Sequence, residues 1–158
     1  VKSAIVYYSF SGNTRRAAEA LAEYLRKTSE VDIMELKALD ESSSFFKQAL
    51  RALVRTKAKV EPVSFDLSKY DLVCIGTPVW AFGPAPAMNT YLSQCRGLKG
   101  KDAIAFTTYG SGTGNGQCIN YIKNILNKKG VKICRSFTAK GARTRDKGYL
   151  ESIVNSPN

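Results

Sequence analysis

Five short runs of apolar and β-branched residues recur along the chain, at 2–9, 31–36, 71–76, 102–108 and 131–139. Segments with helical spacing lie between or after them. Ala17, Ala18, Leu21, Ala22 and Leu25 make one apolar stripe, and Met88, Tyr91, Leu92 and Cys95 make another. Cys118, Ile119, Ile122, Ile125 and Leu126 form a third, and Tyr149, Leu150, Ile153 and Val154 a last. The first run is almost continuously apolar, as a strand covered on both faces must be. The second alternates with charge, as expected at a sheet edge. Strand and helix in alternation imply right-handed crossovers and a parallel sheet with helices on both faces.

That topology fixes where function belongs. Ligands of open parallel sheets bind beyond the carboxyl ends of the strands. Three loops rich in glycine, hydroxyl or aromatic residues follow the first, third and fourth strands, so they meet at one end.

The first loop is Ser9-Phe10-Ser11-Gly12-Asn13-Thr14. It runs from a strand into a helix that Asn13 or Thr14 can cap, so its free amides and the helix dipole aim at one point. It has neither the Gly-x-x-x-x-Gly-Lys-Ser/Thr nor the Gly-x-Gly-x-x-Gly spacing, and no lysine stands at the P-loop position. Hydroxyls and amides alone suit a phosphate monoester better than a nucleotide pyrophosphate. An ordinary Ser/Asn turn capping a helix is the competing reading.

The second loop, Thr77-Pro78-Val79-Trp80-Ala81-Phe82, carries the one tryptophan of the chain. An aromatic there can stack on a flat ring, a contact that contributes roughly 1–3 kcal/mol, or it can pack on the following helix. The third loop runs from Tyr109 through Gly110, Gly112, Gly114 and Gly116. Its glycines permit close backbone approach to a ligand, and Tyr109 is a second stacking candidate.

Composition removes other chemistries. The 158 residues fit one domain, spanning 1–158, and the chain contains no histidine, so histidine general-base catalysis is excluded and a zinc site is disfavoured. Four separated cysteines without a Cys-x-x-Cys pair match a reducing, cytoplasmic setting. Neither a leader peptide nor a membrane-length apolar run is read. The formal net charge of +11 favours an acidic partner. The cations are spread over several segments and follow no nucleic-acid-binding motif, so nucleic acid is the weaker partner reading. One helix-spaced segment carries Lys47, Arg51, Arg55 and Lys59 at four-residue intervals, a solvated face or a docking surface.

With Tyr7 to Thr14, Tyr70 to Trp80 and the glycine loop from Thr108 in view, the chain resembles the flavodoxin family over nearly its whole length. The resemblance implies a flavodoxin-like three-layer sandwich with a five-stranded parallel sheet in the order 2-1-3-4-5, and FMN as cofactor. It implies that Ser9, Phe10, Ser11, Gly12, Asn13 and Thr14 hold the FMN phosphate. Trp80 would cover one ring face and Tyr109 the other. Backbone groups of Thr77, Pro78, Val79, Trp80 and Ala81, and of Tyr109, Gly110 and Gly112, would meet the ring's polar edge. No catalytic side chain and no metal are called for. The leading expectation is an electron carrier between redox partner proteins with acidic docking surfaces. The alternative is an NAD(P)H-dependent FMN oxidoreductase of quinone-reductase type, with Arg143 and Arg145 on a nicotinamide phosphate. A basic binding module without flavin is a third reading.

Overall fold

The structure, a computed structural model, describes residues 1–38 and 63–158. The helix expected around Lys47, Arg51, Arg55 and Lys59 lies outside the described residues.

Strand β1 (Lys2–Tyr8) leads into helix α1 (Asn13–Leu25) and strand β2 (Glu30–Leu36). Strand β3 (Leu72–Trp80) turns back as the two-residue β4 (Gly83–Pro84) before helix α2 (Pro86–Gln94). Strand β5 (Asp102–Tyr109), helix α3 (Asn115–Lys128) and strand β6 (Ile133–Lys140) follow, then a 3-10 turn (Gly141–Arg143) and helix α4 (Lys147–Val154).

The main sheet runs β2-β1-β3-β5-β6, all neighbours parallel, which is the expected order 2-1-3-4-5. β4 is an addition: it pairs antiparallel with the end of β3. The second loop is therefore mostly strand and hairpin, where the sequence pattern suggests irregular chain after Gly76. Two prolines close together hide this. Pro78 lies inside β3 and Pro84 forms half of β4.

Alternate residues of each strand serve the two helical layers. Ile5, Tyr7, Cys74, Ile104, Phe106 and Phe137 pack under α1 and α4. Ala4, Val6, Val73, Ile75, Ala103 and Ala105 pack under α2 and α3. Each fully buried aliphatic such as Leu21 or Ile122 contributes roughly 1.5–3 kcal/mol. Gly76 serves packing as well: a Cβ there would lie 2.1 Å from Phe106 Cζ. That ring in turn stacks on Phe137 with centroids 5.2 Å apart.

No described helix is long and apolar enough to cross a membrane. All four cysteines are free thiols; burial pushes the Cys74, Cys95 and Cys134 thiols up.

Candidate functional site

The three loops meet at the carboxyl end of the sheet, and each is tied to the others by a specific contact. The first and third are joined where Thr14 and Thr108 hydroxyls lie 2.7 Å apart in a buried position. The first and second meet through Phe10 and Trp80, edge to face at 5.6 Å between centroids. The second and third meet where Phe82 covers Gly114: a Cβ on that glycine would come within 2.5 Å of Phe82 Cδ1.

The first loop is built differently from the expected side-chain cap. Gly12, not Asn13 or Thr14, occupies the N-cap of α1, with φ of 91° and no side-chain cap bond. Asn13 is already helical and Thr14 is turned inward to Thr108. Ser9 holds the loop closed, its hydroxyl oxygen accepting from the amides of Gly12 (3.1 Å) and Arg15 (3.2 Å). The amides of Ser11, Asn13 and Thr14 take no protein acceptor among the described residues. Ser11 is exposed. Three free donors at the positive end of a 13-residue helix form an anion cradle.

The neighbouring arginines part company. Arg15 turns to Glu35, 2.6 Å away. Burial, then the Glu35 charge, pushes the Tyr7 phenol up, with Arg15 opposing. Arg16 instead lies behind the cradle. It donates to Asn13 Oδ1 (2.5 Å) and to Thr144 Oγ1 (3.1 Å), and Thr144 donates to Asn13 Oδ1 at 3.0 Å. Its remaining arm lies 3.2 Å from where a Cβ of Gly12 would be. Arg16 has no carboxylate ion-pair partner among the described residues. Gly141 completes this packing, since a Cβ there would lie 2.7 Å from Asn13 Nδ2. Thr108, Gly141 and Thr144 are not singled out as site residues by the sequence pattern. Arg15 and Arg16, just beyond the loop, can be read there either as added charge attraction or as facing solvent.

In the second loop Thr77 is buried; its hydroxyl accepts from the Ala85 amide and donates to the Pro78 carbonyl, both at 3.0 Å. Pro78 and Val79 are half-buried in β3. Trp80 is 5% exposed and belongs to the core cluster, with Tyr8 edge-on at 5.8 Å. The exposed aromatic of the loop is Phe82, at 46%. Ala81 (φ 47°) and Phe82 (φ 66°) form the hairpin turn in left-handed conformations. Asn-Gly is the usual choice for such a turn; a non-glycine pair carries roughly 1–3 kcal/mol of strain per residue. The Gly114 contact and the β3–β4 pairing hold it.

In the third loop Tyr109 is half-exposed, and Gly110 and Gly112 are exposed. Gly112 has φ of 82° and lies against the Tyr109 ring. A Cβ on Gly110 would meet nothing within 4 Å, so no protein neighbour demands a glycine there. Close by in β5, Thr107 Oγ1 is buried with no hydrogen-bond partner among the described residues.

A parallel five-stranded sandwich with an anion cradle and aromatic-lined loops at its carboxyl end defines the flavodoxin-like class of α/β proteins. Residues 6–142 match the family model described as NADPH-dependent FMN reductase, and the chain belongs to that family. Solved structures agree on the fold. A flavoprotein in complex with FMN from Lactobacillus acidophilus is 22% identical, covers 93% of this chain and 98% of its own, and superposes with TM-score 0.67. An NADH:FMN oxidoreductase gives 16%, 98%, 87% and 0.66. Flavodoxin 1 from Bacillus cereus gives 18%, 98%, 97% and 0.59.

The residues present fit the FMN of this family. The cradle of free amides behind which Arg16 sits suits a phosphate monoester, and the open side of Gly110 leaves room for a ring edge. Among the described residues no cluster could hold a metal ion.

Proposed function

We propose that this protein is an FMN-dependent oxidoreductase that accepts electrons from NAD(P)H. The observation that carries the reading is the mutual fastening of the three loops, through Thr14–Thr108, Phe10–Trp80 and Phe82–Gly114, in a chain of the NADPH-dependent FMN reductase family. FMN, when bound, supplies the redox chemistry, taking up a hydride and passing the electrons on.

The chain's own residues bind, orient and shield. The Ser11, Asn13 and Thr14 amides hold the phosphate, with Arg16 adding charge from behind. Backbone groups of Thr77 to Ala81 and of Tyr109 to Gly112 meet the ring's polar edge. Because Trp80 is buried, Phe82 and Tyr109 offer the more accessible aromatic surfaces. The loops at 77–86 and 107–117 contain no ionisable group except the phenol of Tyr109, so proton exchange during turnover passes to water rather than to a protein acid. Arg143 is engaged by Asp146 (3.7 Å) and stacks over Tyr149 (4.0 Å). Arg145 lines a 260 Å³ depression with Arg16 and Lys147, but Glu19, Glu23 and Glu151 line it as well, so this depression does not favour a nicotinamide phosphate. The four free thiols accord with a cytoplasmic setting.

The test is an absorption spectrum of the purified protein before and after added FMN, followed by anaerobic mixing with NADPH. Uptake of FMN and fast bleaching of the flavin band support the reductase. Uptake without bleaching by NADPH or NADH transfers the reading to an electron carrier.

A further inference from the structure

The positive charge of this protein is not spread evenly. Residues 72–145 carry eleven lysines and arginines and a single acid, Asp102. The rest of the chain carries thirteen cations against twelve acids. Nearly the whole net charge of +11 therefore belongs to the half built from β3, α2, β5, α3 and β6, because acids are almost absent from it while the cations run through several segments of the whole chain.

Within that half six of the eleven cations, all of them lysines, lie along α3 and beside its carboxyl end. Lys123 on α3 lies close enough to Cys134 on β6 to favour its thiolate. Lys128 and Lys129 follow at the end of α3, and Lys99 packs against Gly130 beside them. The Lys132 amide bonds the Lys101 carbonyl at 2.7 Å, placing those two alongside. None of these six lysines forms an ion pair with a carboxylate among the described residues. Two of them brace neighbouring backbone, Lys129 donating to the Cys95 carbonyl (2.8 Å) and Lys101 to the Ser68 and Tyr70 carbonyls. Lys99, Lys123, Lys128 and Lys132 have no such partner among the described residues. Four further exposed positions of α3 are amides, Gln117, Asn120, Asn124 and Asn127.

Helix α3 links this charge to the site. Its 14 residues span about 20 Å. Its amino end begins at Gly114 beneath the exposed Phe82, and its carboxyl end carries Lys128 and Lys129. A cationic, amide-rich flank thus ends at an uncharged rim with a projecting aromatic. Interfaces between proteins have this anatomy, an aromatic contact that loses water beside charges that steer the encounter. A duplex phosphate backbone would use the lysines without Phe82, and a lipid surface would want the aromatic among the cations rather than at the opposite end of α3 from Lys128 and Lys129.

We infer that the α3–β6 flank is the docking surface for an acidic protein with a one-electron redox centre, seated along α3 so that its centre faces the Phe82 rim. This surface serves the flavin chemistry proposed above and rests on it. Each bound flavin reduced with two electrons by NAD(P)H would reduce two such centres in turn, releasing its protons to water.

The test uses the FMN-loaded protein, with an acidic b-type cytochrome as the probe. Its dissociation constant is measured by calorimetry at low and moderate salt, and its reduction rate by stopped flow. K123E/K128E should weaken binding at least tenfold and flatten the salt dependence. R26E/K27E, at the far end of α1, should change it less than twofold. F82A should weaken binding without altering the salt dependence. K99Q/K132Q gives a second readout of the same flank should K123E/K128E fold poorly. Equal losses from the α3 and α1 variants, or loss from neither, overturn the proposal. So does an F82A variant with unchanged affinity, since the partner would then not be seated against the Phe82 rim. Failure of the protein to take up FMN is seen in its spectrum beforehand and counts against the flavin reading, while binding of the cytochrome to the colourless protein still reports on the flank.

Discussion

The hydroxyls of Thr14 and Thr108 lie 2.7 Å apart, joining a helix to a strand 94 residues away. This buried bond fastens the anion cradle to the strand that carries the third loop. Thr108→Val keeps the shape and removes the partner, so it should lower stability by about 1 kcal/mol. It should also weaken FMN binding, because the start of α1 that presents the Thr14 amide is then held less firmly against β5. A double-mutant cycle with Thr14→Val, read by urea unfolding and FMN titration, should show coupling in both measurements. Additive losses would show that the two hydroxyls act separately.

Arg15 and Arg16 are adjacent in sequence but play different parts. Arg15→Ala breaks an exposed pair with Glu35 and should change FMN affinity less than about threefold. Arg16→Ala removes the cation behind the cradle and should cost about tenfold or more. Riboflavin, which lacks the phosphate, gives the control: its affinity should be the same in wild type and R16A. Fluorescence titration with both flavins measures this.

Two glycines separate folding from binding. Gly76→Ala places a methyl group against the Phe106 ring and should destabilise the fold by roughly 1–3 kcal/mol. Gly110→Ala meets only open space and should alter stability by no more than about 0.5 kcal/mol, while weakening FMN several-fold. Thermal unfolding without flavin, compared with FMN titration, checks both.

Acid should loosen the protein through carboxylates at the other end of the sheet. The Tyr70 hydroxyl hydrogen bond, aided by Lys2 and Lys69, holds the Asp32 carboxyl below its ordinary value. The Ser68 side chain and amide do the same for Asp66. A carboxyl with a lowered folded pKa is protonated first in the unfolded chain, so stability is full above about pH 4 and falls as pH drops through the folded values. Between pH 5 and 8 the chain has no histidine to titrate, and stability should stay level. Urea midpoints from pH 2 to 8 test this, and Asp32→Asn should flatten the acid limb.

Periodicity reveals the parallel sandwich because strands covered on both faces and helices covered on one leave different patterns. It also reveals that three loops share one end, since that follows from topology alone. It does not reveal the Ala81–Phe82 turn, whose residues carry no turn signature; their left-handed backbone is imposed by β3–β4 pairing and by the contact with Gly114. The inward turn of Thr14 and the backing of Asn13 by Arg16 and Thr144 are equally hidden. These contacts join segments far apart in the chain, or depend on which way a hydroxyl points. Trp80 is legible only in part: its residue type suggests a ring-stacking role, while its 5% exposure and its edge-on contacts with Tyr8 and Phe10 join segments far apart in the chain.

That placement gives the protein a built-in optical reporter. A lone tryptophan, 5% exposed and edge-on to two other rings, should emit at short wavelength when the chain is folded and shift to the red when it opens. It also lies within energy-transfer range of any flavin held by the loops it supports, so bound FMN should darken it. One emission band can therefore distinguish unfolded, folded and flavin-loaded molecules in the same cuvette, with no label attached.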